Sequence, residues 1–539
     1  MISLKNILTF VCLNIISFGI FASASTEVSV PDEVEVKEVK IKSELSELST
    51  KVHEHSYAPI KYTVTNRTDK PYHSKLWVNR SIGGGSGANQ VFSATTPPFA
   101  KKTFYFYPIC DSNYLSINST DSTPAHTYIN SAYTDMTAAV SSECRETWLK
   151  TLNASSSYVS ADLINITDWP ADYRTFACFD FLIIPEKQYN NKLDESYRKA
   201  IRLWIAAGGH LLLIGDATTV ESTKRYGNGK ISIAPERMNM EDDARIKWFN
   251  KLTDRKEHHH YVGANERTDK YIERRFPKII DVNKYKIPPP PVFLGLILLA
   301  FAIFVGPICL KVLAPVGKRF RLFYIIPLSA VGVSLLLALL IFVIDGTGGV
   351  GTRKVHFVIN AADHTGLISQ TQVVRTNLIL SDEFHLPMEV AISGERNSDG
   401  YHESLKDTQR EDEVCSGGYF PSRASVVHYL LQPVVTRWAL HVEKTSDGKY
   451  SFQSSFPAQL SNVTYTDNDG KVWMVKSLMP GQKLTAESVY YKGKFKPTSG
   501  SFRANMVDKD GKTGVIPTLD SIEWEKTEII VSGPIAFNN

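Results

Sequence analysis

The sequence predicts a multidomain α/β plus all-β protein with two transmembrane helices. An N-terminal β-sandwich comes first, then a parallel α/β domain, the two apolar helices and a C-terminal β-sandwich region. Three observations predict this. A strand, a helix, a Gly-Gly pair and a second strand follow one another between Phe179 and Asp216. Two runs, Val292 to Leu310 and Leu322 to Ile344, carry no charge. Asp-Gly pairs recur through the last third of the chain, each between β-like runs.

At 539 residues the chain is long enough for three or four domains. Its 60 basic and 56 acidic residues nearly balance, and 43% of residues are hydrophobic. That composition describes a globular protein and excludes a disordered chain or an obvious nucleic-acid binder.

Residues 1–24 have the parts of a secretory signal. Lys5 supplies a positive n-region, Ile7 to Phe21 an apolar core, and Ala22-Ser23-Ala24 a cleavage site. Residues 25–120 read as a β-sandwich-like domain. Apolar residues alternate with charges from Val28 to Ile41, and Tyr62 to Asn66, Lys75 to Asn79 and Thr103 to Pro108 are further strands. Gly83 to Gly87 reads as a loop, because no helix follows it.

Residues 121–287 change character. Val159 to Ile166 and Phe179 to Pro185 are strands, the second fully apolar. Lys192 to Ala207 places apolar residues at 193, 197, 200, 201, 204 and 205, which is helical spacing. Gly208-Gly209 ends that helix, and His210 to Asp216 is the next buried strand. The pattern is a βαβ unit with a parallel sheet.

A bilayer core about 30 Å thick needs roughly 20 apolar helical residues, so 291–311 and 322–345 are expected to span it. The 312–321 connector carries Lys318, Arg319 and Arg321, with Lys311 at its edge and no acid, and is expected in the cytoplasm. Residues 353–539 then form an extracytoplasmic β-rich domain, opening at Lys354 to Ile359 after a Gly346 to Gly351 linker. Its Asp-Gly hairpins fall at 399–400, 447–448, 469–470 and 510–511.

The runs Asp180-Phe-Leu-Ile-Ile-Pro and Ile201-Arg-Leu-Trp-Ile-Ala-Ala-Gly-Gly-His-Leu-Leu-Leu-Ile-Gly resemble a family. It is the uncharacterised bacterial inner-membrane proteins with a periplasmic class I glutamine amidotransferase-like domain and a two-helix membrane hairpin. Tyr226-Gly-Asn-Gly-Lys-Ile and Gly306-Pro307 are similar to them too. The resemblance covers about residues 125 to 365. It implies an inner-membrane location with both large regions extracytoplasmic. It also implies envelope protein partners in complexes linked to AAA+ ATPase and von Willebrand A-domain proteins.

An amidotransferase needs a cysteine on a strand-to-helix turn. The corresponding position holds Gly215-Asp216-Ala217, and Cys178, before the other strand, reads as a small buried hydrophobe. No catalytic residue, metal ligand or cofactor is assigned. Adjacent histidines at 258–260 point apart, and Asp467-Asn-Asp-Gly470 lacks the ligands of a calcium loop and reads as a turn. Gly346 to Gly351 matches a dinucleotide-binding fingerprint by letter, but it follows a membrane helix and precedes a strand. Cys110 and Cys144 are the pair considered for a disulfide. Ligands of open α/β sheets bind beyond the carboxyl ends of the strands, so Glu186, Asp216 and Thr218 are the candidate ligand or partner residues.

The function expected is a non-catalytic, membrane-anchored envelope protein in contact with the lipid bilayer, binding protein partners and no nucleic acid. A thiol- or serine-dependent hydrolase or amide-transfer enzyme, and an accessory subunit of a transporter, are the alternatives. The charge-free spans speak against the transporter.

Overall fold

Strand alternation at the N-terminus produces two facing sheets in the computed structural model. The structure describes residues 41–49, 52, 56–82, 85–110, 114–119, 126–130, 136–144, 159–216, 218–235, 275–278, 292–313, 317, 319–398, 401–405, 407–490, 499–508 and 512–535. The signal at 1–24 and the histidines at 258–260 lie outside them, as do residues 28–40 of the first expected strand.

Strands Ile41–Glu47, Ile60–Asn66 and Lys101–Phe106 form an antiparallel sheet. A hairpin of Tyr72–Ile82 and Gly85–Thr96, with Tyr114–Ser119 and His126–Asn130, forms a second. Side chains of both meet in one core, where the Phe106 ring lies 6.2 Å from that of Tyr62 and 5.2 Å from that of Phe92. The Gly83 to Gly87 loop is shorter than expected, since Gly85 already belongs to a strand.

The second sheet holds three further strands that the sequence places in the C-terminal region. Thr408–Glu411 pairs in parallel with Gly85–Thr96, matching Gln90 with Arg410, and is followed outward by Val414–Gly417 and Phe384–His385. Strands from the expected N- and C-terminal β regions thus share one sheet. Residues 41–539 form one compact unit.

The α/β region is a six-stranded sheet. Its spatial order is Val159–Ile164, Met136–Ser141, Phe181–Pro185, His210–Gly215, Gly229–Pro235, Ser222–Tyr226. All pairings are parallel except the last. The order reverses between Met136–Ser141 and Phe181–Pro185, a topological switch point. The helix Glu195–Ala206 buries Ile201, Trp204 and Ile205. It ends at Gly208, whose φ of 112° suits glycine. Gly209 answers to packing: a Cβ there would lie 2.2 Å from the Trp204 ring, whose Nε1–H donates to the Phe179 carbonyl.

Between the α/β sheet and the C-terminal strands lie the apolar helices. Residues 319–337 are the one described segment long and apolar enough to cross a membrane; they run from the short 3-10 turn Arg319–Arg321 into the helix Leu322–Asp345. The expected continuous first span is not formed as such. Its α-helical part, Val292–Ile303, is 12 residues, about 18 Å at 1.5 Å per residue, and continues as a π-helix, Phe304–Leu313. Pro307 lies inside that stretch and has no N–H to donate, which breaks the regular ladder. Both helices carry exposed apolar side chains, among them Leu296, Leu299, Phe323, Leu328, Leu335 and Leu339.

The C-terminal strands form a ten-stranded sheet with a three-stranded sheet beside it. They share a core containing Phe357, Phe452, Phe456 and Phe502. Gly346 to Gly351 is not simply a linker, for the strand Gly349–Asn360 begins inside it. A Cβ at Gly348 would meet the Ser521 carbonyl at 2.1 Å, and one at Gly351 the Val373 carbonyl at 2.8 Å. Asp-Gly turns close the hairpins at 447–448 and 469–470, with Gly448 and Gly470 at φ 71° and 77°. Strands Ala391–Ser398 and Tyr401–Ser404 pair on either side of 399–400. The pair at 510–511 instead falls in the long connection between Ser501–Val507 and Ile522–Pro534, outside the described residues.

Candidate functional site

Three parallel strands end at a pocket of about 400 Å³. Glu143 and Cys144 follow the strand Met136–Ser141, Glu186 and Lys187 follow Phe181–Pro185, and Gly215 and Asp216 lie at the end of His210–Gly215. Asn190 and Asn191 close the side. The switch point thus opens into the pocket, where doubly wound sheets place ligands.

Glu186 and Asp216 are brought together here, whereas Thr218 is exposed and is not part of the lining. Lys187 Nζ lies 3.2 Å from Asp216 Oδ1, and Lys192 Nζ lies 2.8 Å from Glu143 Oε2. Such exposed pairs are worth no more than about 1 kcal/mol and can open to a ligand. Glu186 lies against the backbone of Gly215, where a Cβ would stand 2.8 Å from its Oε2. Beneath, the Ser141 hydroxyl donates to Gln188 Oε1 at 2.6 Å, both residues being buried. This fixes the helical segment that carries Lys187 and Asn190.

Glu143 and the two asparagines were not picked out from sequence. The strand before Glu143, Met136–Ser141, is built largely of small residues and lacks the apolar run that marks its neighbours. Among the described residues lining the pocket there is no histidine. Cys144 is buried, its thiol 3.7 Å from the Ile183 carbonyl. Cys178 lies away from the pocket, fully buried, its thiol 3.5 Å from the Thr175 carbonyl. Burial, and then the charge of Asp162, push that thiol well above its ordinary range. Cys110 and Cys144 are both free thiols rather than a disulfide.

Among the described residues no group of three His, Cys, Asp or Glu side chains is placed to hold a metal ion. Asp467 serves its own hairpin: Oδ1 accepts from the N–H groups of Asp469 and Lys471, and Oδ2 from Trp473 Nε1 at 2.9 Å. That is turn geometry.

No family model matches the chain, and no curated protein does. Among solved structures, a β-glucosidase from Listeria innocua in complex with gluconolactone matches at 10% identity. That match covers 21% of this chain and 19% of that one, with a TM-score of 0.15. The yeast delta-COP-I mu-homology domain complexed with a Dsl1 WxWxV peptide matches at 10% identity over 35% of this chain and 97% of that one, TM-score 0.19. A Paenibacillus cycloisomaltooligosaccharide glucanotransferase matches at 7% identity over 72% and 69%, TM-score 0.19. The match spans only 15% and 31% of the first two solved chains. Similarity this low carries no argument about fold or activity.

Proposed function

We propose that the chain is a non-catalytic envelope protein, anchored in the bacterial inner membrane by two spans, whose extracytoplasmic body binds or assembles protein partners. The observation that carries this reading is the ladder between Gly85–Thr96 and Thr408–Glu411. These strands precede and follow the apolar helices in the chain, and they hydrogen-bond within one body. A bilayer does not run through a β-ladder, which supports a chain that returns to the side it left after an even number of crossings. Leu322–Asp345 supplies one, and Val292–Leu313, α-helical and then π-helical, is the segment available for the other. The basic connector favours the cytoplasm for the turn, and the signal-like residues 1–24 favour export of the body.

The parallel sheet with its 2-1-3-4 start is compatible with the amidotransferase-like resemblance, and that resemblance is the source of the suggested AAA+ ATPase and von Willebrand A-domain partners. Gly215 and Asp216 stand where a nucleophile elbow would be. The pocket's acids and amides suit recognition better than acyl transfer, because Cys144 is buried against a carbonyl with no histidine in the lining. A partner or ligand presenting cationic or amide groups fits Glu143, Glu186 and Asp216.

Crosslinking tests this reading. A photo-crosslinking residue at Glu186 or Asp216 of the full chain should capture a defined envelope protein in intact membranes. One at Asp447, on a distant exposed turn, should not. Glu186→Arg and Asp216→Arg should abolish the capture without lowering thermal stability. If both variants fold, reach the membrane and complement a deletion strain fully, the strand-end site is wrong.

A further inference from the structure

We infer that the loop at 378–382 rests the side chain of Leu380 in the headgroup and upper acyl layer of the bilayer, beside the exit of the second apolar helix. The inference rests on the reading of Leu322–Asp345 as a membrane span. That helix has 24 residues, about 36 Å at 1.5 Å per residue. With Arg319 and Arg321 at one interface, a hydrocarbon core of about 30 Å takes up roughly 20 residues. The last turn, ending at Asp345, then lies in the opposite headgroup layer.

Backbone hydrogen bonds tie the body to that exit. Only residues 346–348 separate the helix from strand Gly349–Asn360, which pairs antiparallel with Thr365–Thr376, so the second strand runs back toward the span. The Asn377 N–H donates to the Gly348 carbonyl at 2.8 Å, and the Gly348 N–H to the Leu378 carbonyl at 3.0 Å. The Leu378 N–H donates to the Gly346 carbonyl at 3.4 Å. Gly346 and Gly348, at φ 71° and 83°, permit that path. Leu378 is therefore level with the exit of the span. Leu380 is two residues on, its Cα within about 8 Å of that of Leu378 at 3.8 Å per residue.

An exposed leucine alone is ordinary. This one is 74% exposed in a loop held on both sides. The Ile379 N–H donates to Ser422 Oγ at 3.0 Å, the Arg423 N–H to the Asn377 carbonyl at 2.9 Å, and the Gly417 N–H to Asp382 Oδ2 at 2.9 Å. A side chain on a backbone so fixed loses little freedom when it inserts. Leu380 stands with Ile379 and Pro421 at a shallow recess of about 410 Å³. Asp382 and Glu383 follow it, so the contact is apolar and needs no anionic headgroup. The far end of the same ladder supplies a control. Arg375 pairs with Ser425 and Thr365 with Val435, which puts Val435, also exposed, ten residues or about 33 Å away from the span exit.

The test uses the full chain in phosphatidylcholine nanodiscs, with bimane on an introduced cysteine and a nitroxide on the lipid acyl chain near the headgroup. Leu380→Cys and Leu335→Cys, the latter within the span, should each lose fluorescence to the lipid nitroxide, and Val435→Cys should not. A label on Ser381→Cys should be quenched as well. Adding Leu380→Asp should relieve that quenching while the protein melts like wild type. Quenching at 335 without quenching at 380 overturns the inference and leaves the span in place. So does quenching at 381 that survives Leu380→Asp, or equal quenching at 380 and 435. Absence of quenching at 335 overturns the span reading, and the inference falls with it.

Discussion

Gln90 and Arg410 lie opposite one another in a parallel ladder, although both apolar helices intervene between them in the chain. Gln90 also exchanges hydrogen bonds with the backbone of Ile109, donating to its carbonyl at 3.1 Å and accepting from its N–H at 3.2 Å. Arg410 reaches the carbonyls of Val390 at 2.7 Å, Pro387 at 2.9 Å and Asp412 at 3.1 Å. The seam between the two halves of the chain is thus made of buried polar groups whose partners lie in fixed positions.

Such a seam has a topological consequence that labelling can check. Single cysteines at Asp69 and Asp447, exposed turns on either side of the helices in sequence, should react equally with a membrane-impermeant thiol reagent in intact cells. A cysteine at Lys318 should react only after the membrane is opened. The native thiols of the described residues are all buried, so background should be low. Opposite accessibility of 69 and 447 would mean that the chain crosses an odd number of times and that the ladder does not form.

The energetics of the same seam separate buried from exposed contacts. Arg410→Ala would leave three carbonyls without their guanidinium donors, and should destabilise the protein by about 3 kcal/mol. Lys75 pairs with Glu411 at 2.5 Å, but both side chains are about half exposed. Lys75→Ala should therefore cost far less than Arg410→Ala. Urea denaturation of the full chain in detergent would distinguish them, and equal losses would show that the buried arginine does not hold the seam.

Much of this fold is written in local pattern, and the seam is not. The run Phe181–Pro185, the helix Glu195–Ala206 and the Asp-Gly hairpins announce themselves through period and turn chemistry. Strand Thr408–Glu411 is only Thr-Gln-Arg-Glu, four polar residues that carry no strand signal of their own. They become a strand because Gly85–Thr96 offers an open edge, which is tertiary context overriding propensity. The pocket was half legible for a related reason. Glu186 and Asp216 follow apolar strands that can be recognised from sequence, whereas Glu143 follows a strand of small residues that cannot. Sequence reasoning tolerates Pro307 within a continuous span, since membrane helices accept proline, whereas the chain turns π-helical around it.

Two histidines, His428 buried and His356 half-buried, set the pH response. Burial, then the charge of Arg503, lower His356 to about 3. Burial lowers His428 to about 4, against the opposing effect of its bond to the Tyr419 carbonyl. His428 Nε2–H donates to that carbonyl, which leaves Nδ1 to accept from Gln372 at 3.3 Å. Both rings are therefore neutral in the fold and titrate near 6.5 when unfolded. The unfolded chain binds the protons first, so this stability is full above about pH 6.5 and falls as pH drops toward 4. The slope should reach about 1.4 kcal/mol per pH unit for each histidine. Denaturation between pH 8 and pH 4.5 should show it, and His428→Gln should reduce the slope. A flat profile from pH 7 to pH 5 would mean that these rings are solvated.

The last prediction contrasts two glycines that sequence alone would treat alike. At Gly209 an added Cβ would fall 2.2 to 2.5 Å from three atoms of the Trp204 ring. That indole is fully buried and donates from Nε1 to the Phe179 carbonyl at 3.2 Å, so it cannot swing aside without breaking the bond beneath the sheet. Gly209→Ala is overpacking in a closed core and should cost about 2–3 kcal/mol. Gly448 sits at φ 71° in an Asp-Gly turn with nothing within 4 Å of its added Cβ. Gly448→Ala meets only the left-handed backbone penalty, about 1–2 kcal/mol, and Gly448→Asn, which tolerates that region, should cost less still. At Gly209 the side-chain order differs, because asparagine is larger than alanine and must do worse there. Thermal melts of the four variants decide it. If Asn is better tolerated than Ala at both positions, Gly209 is chosen for its backbone conformation, and the packing of Trp204 on the helix end is not what limits it.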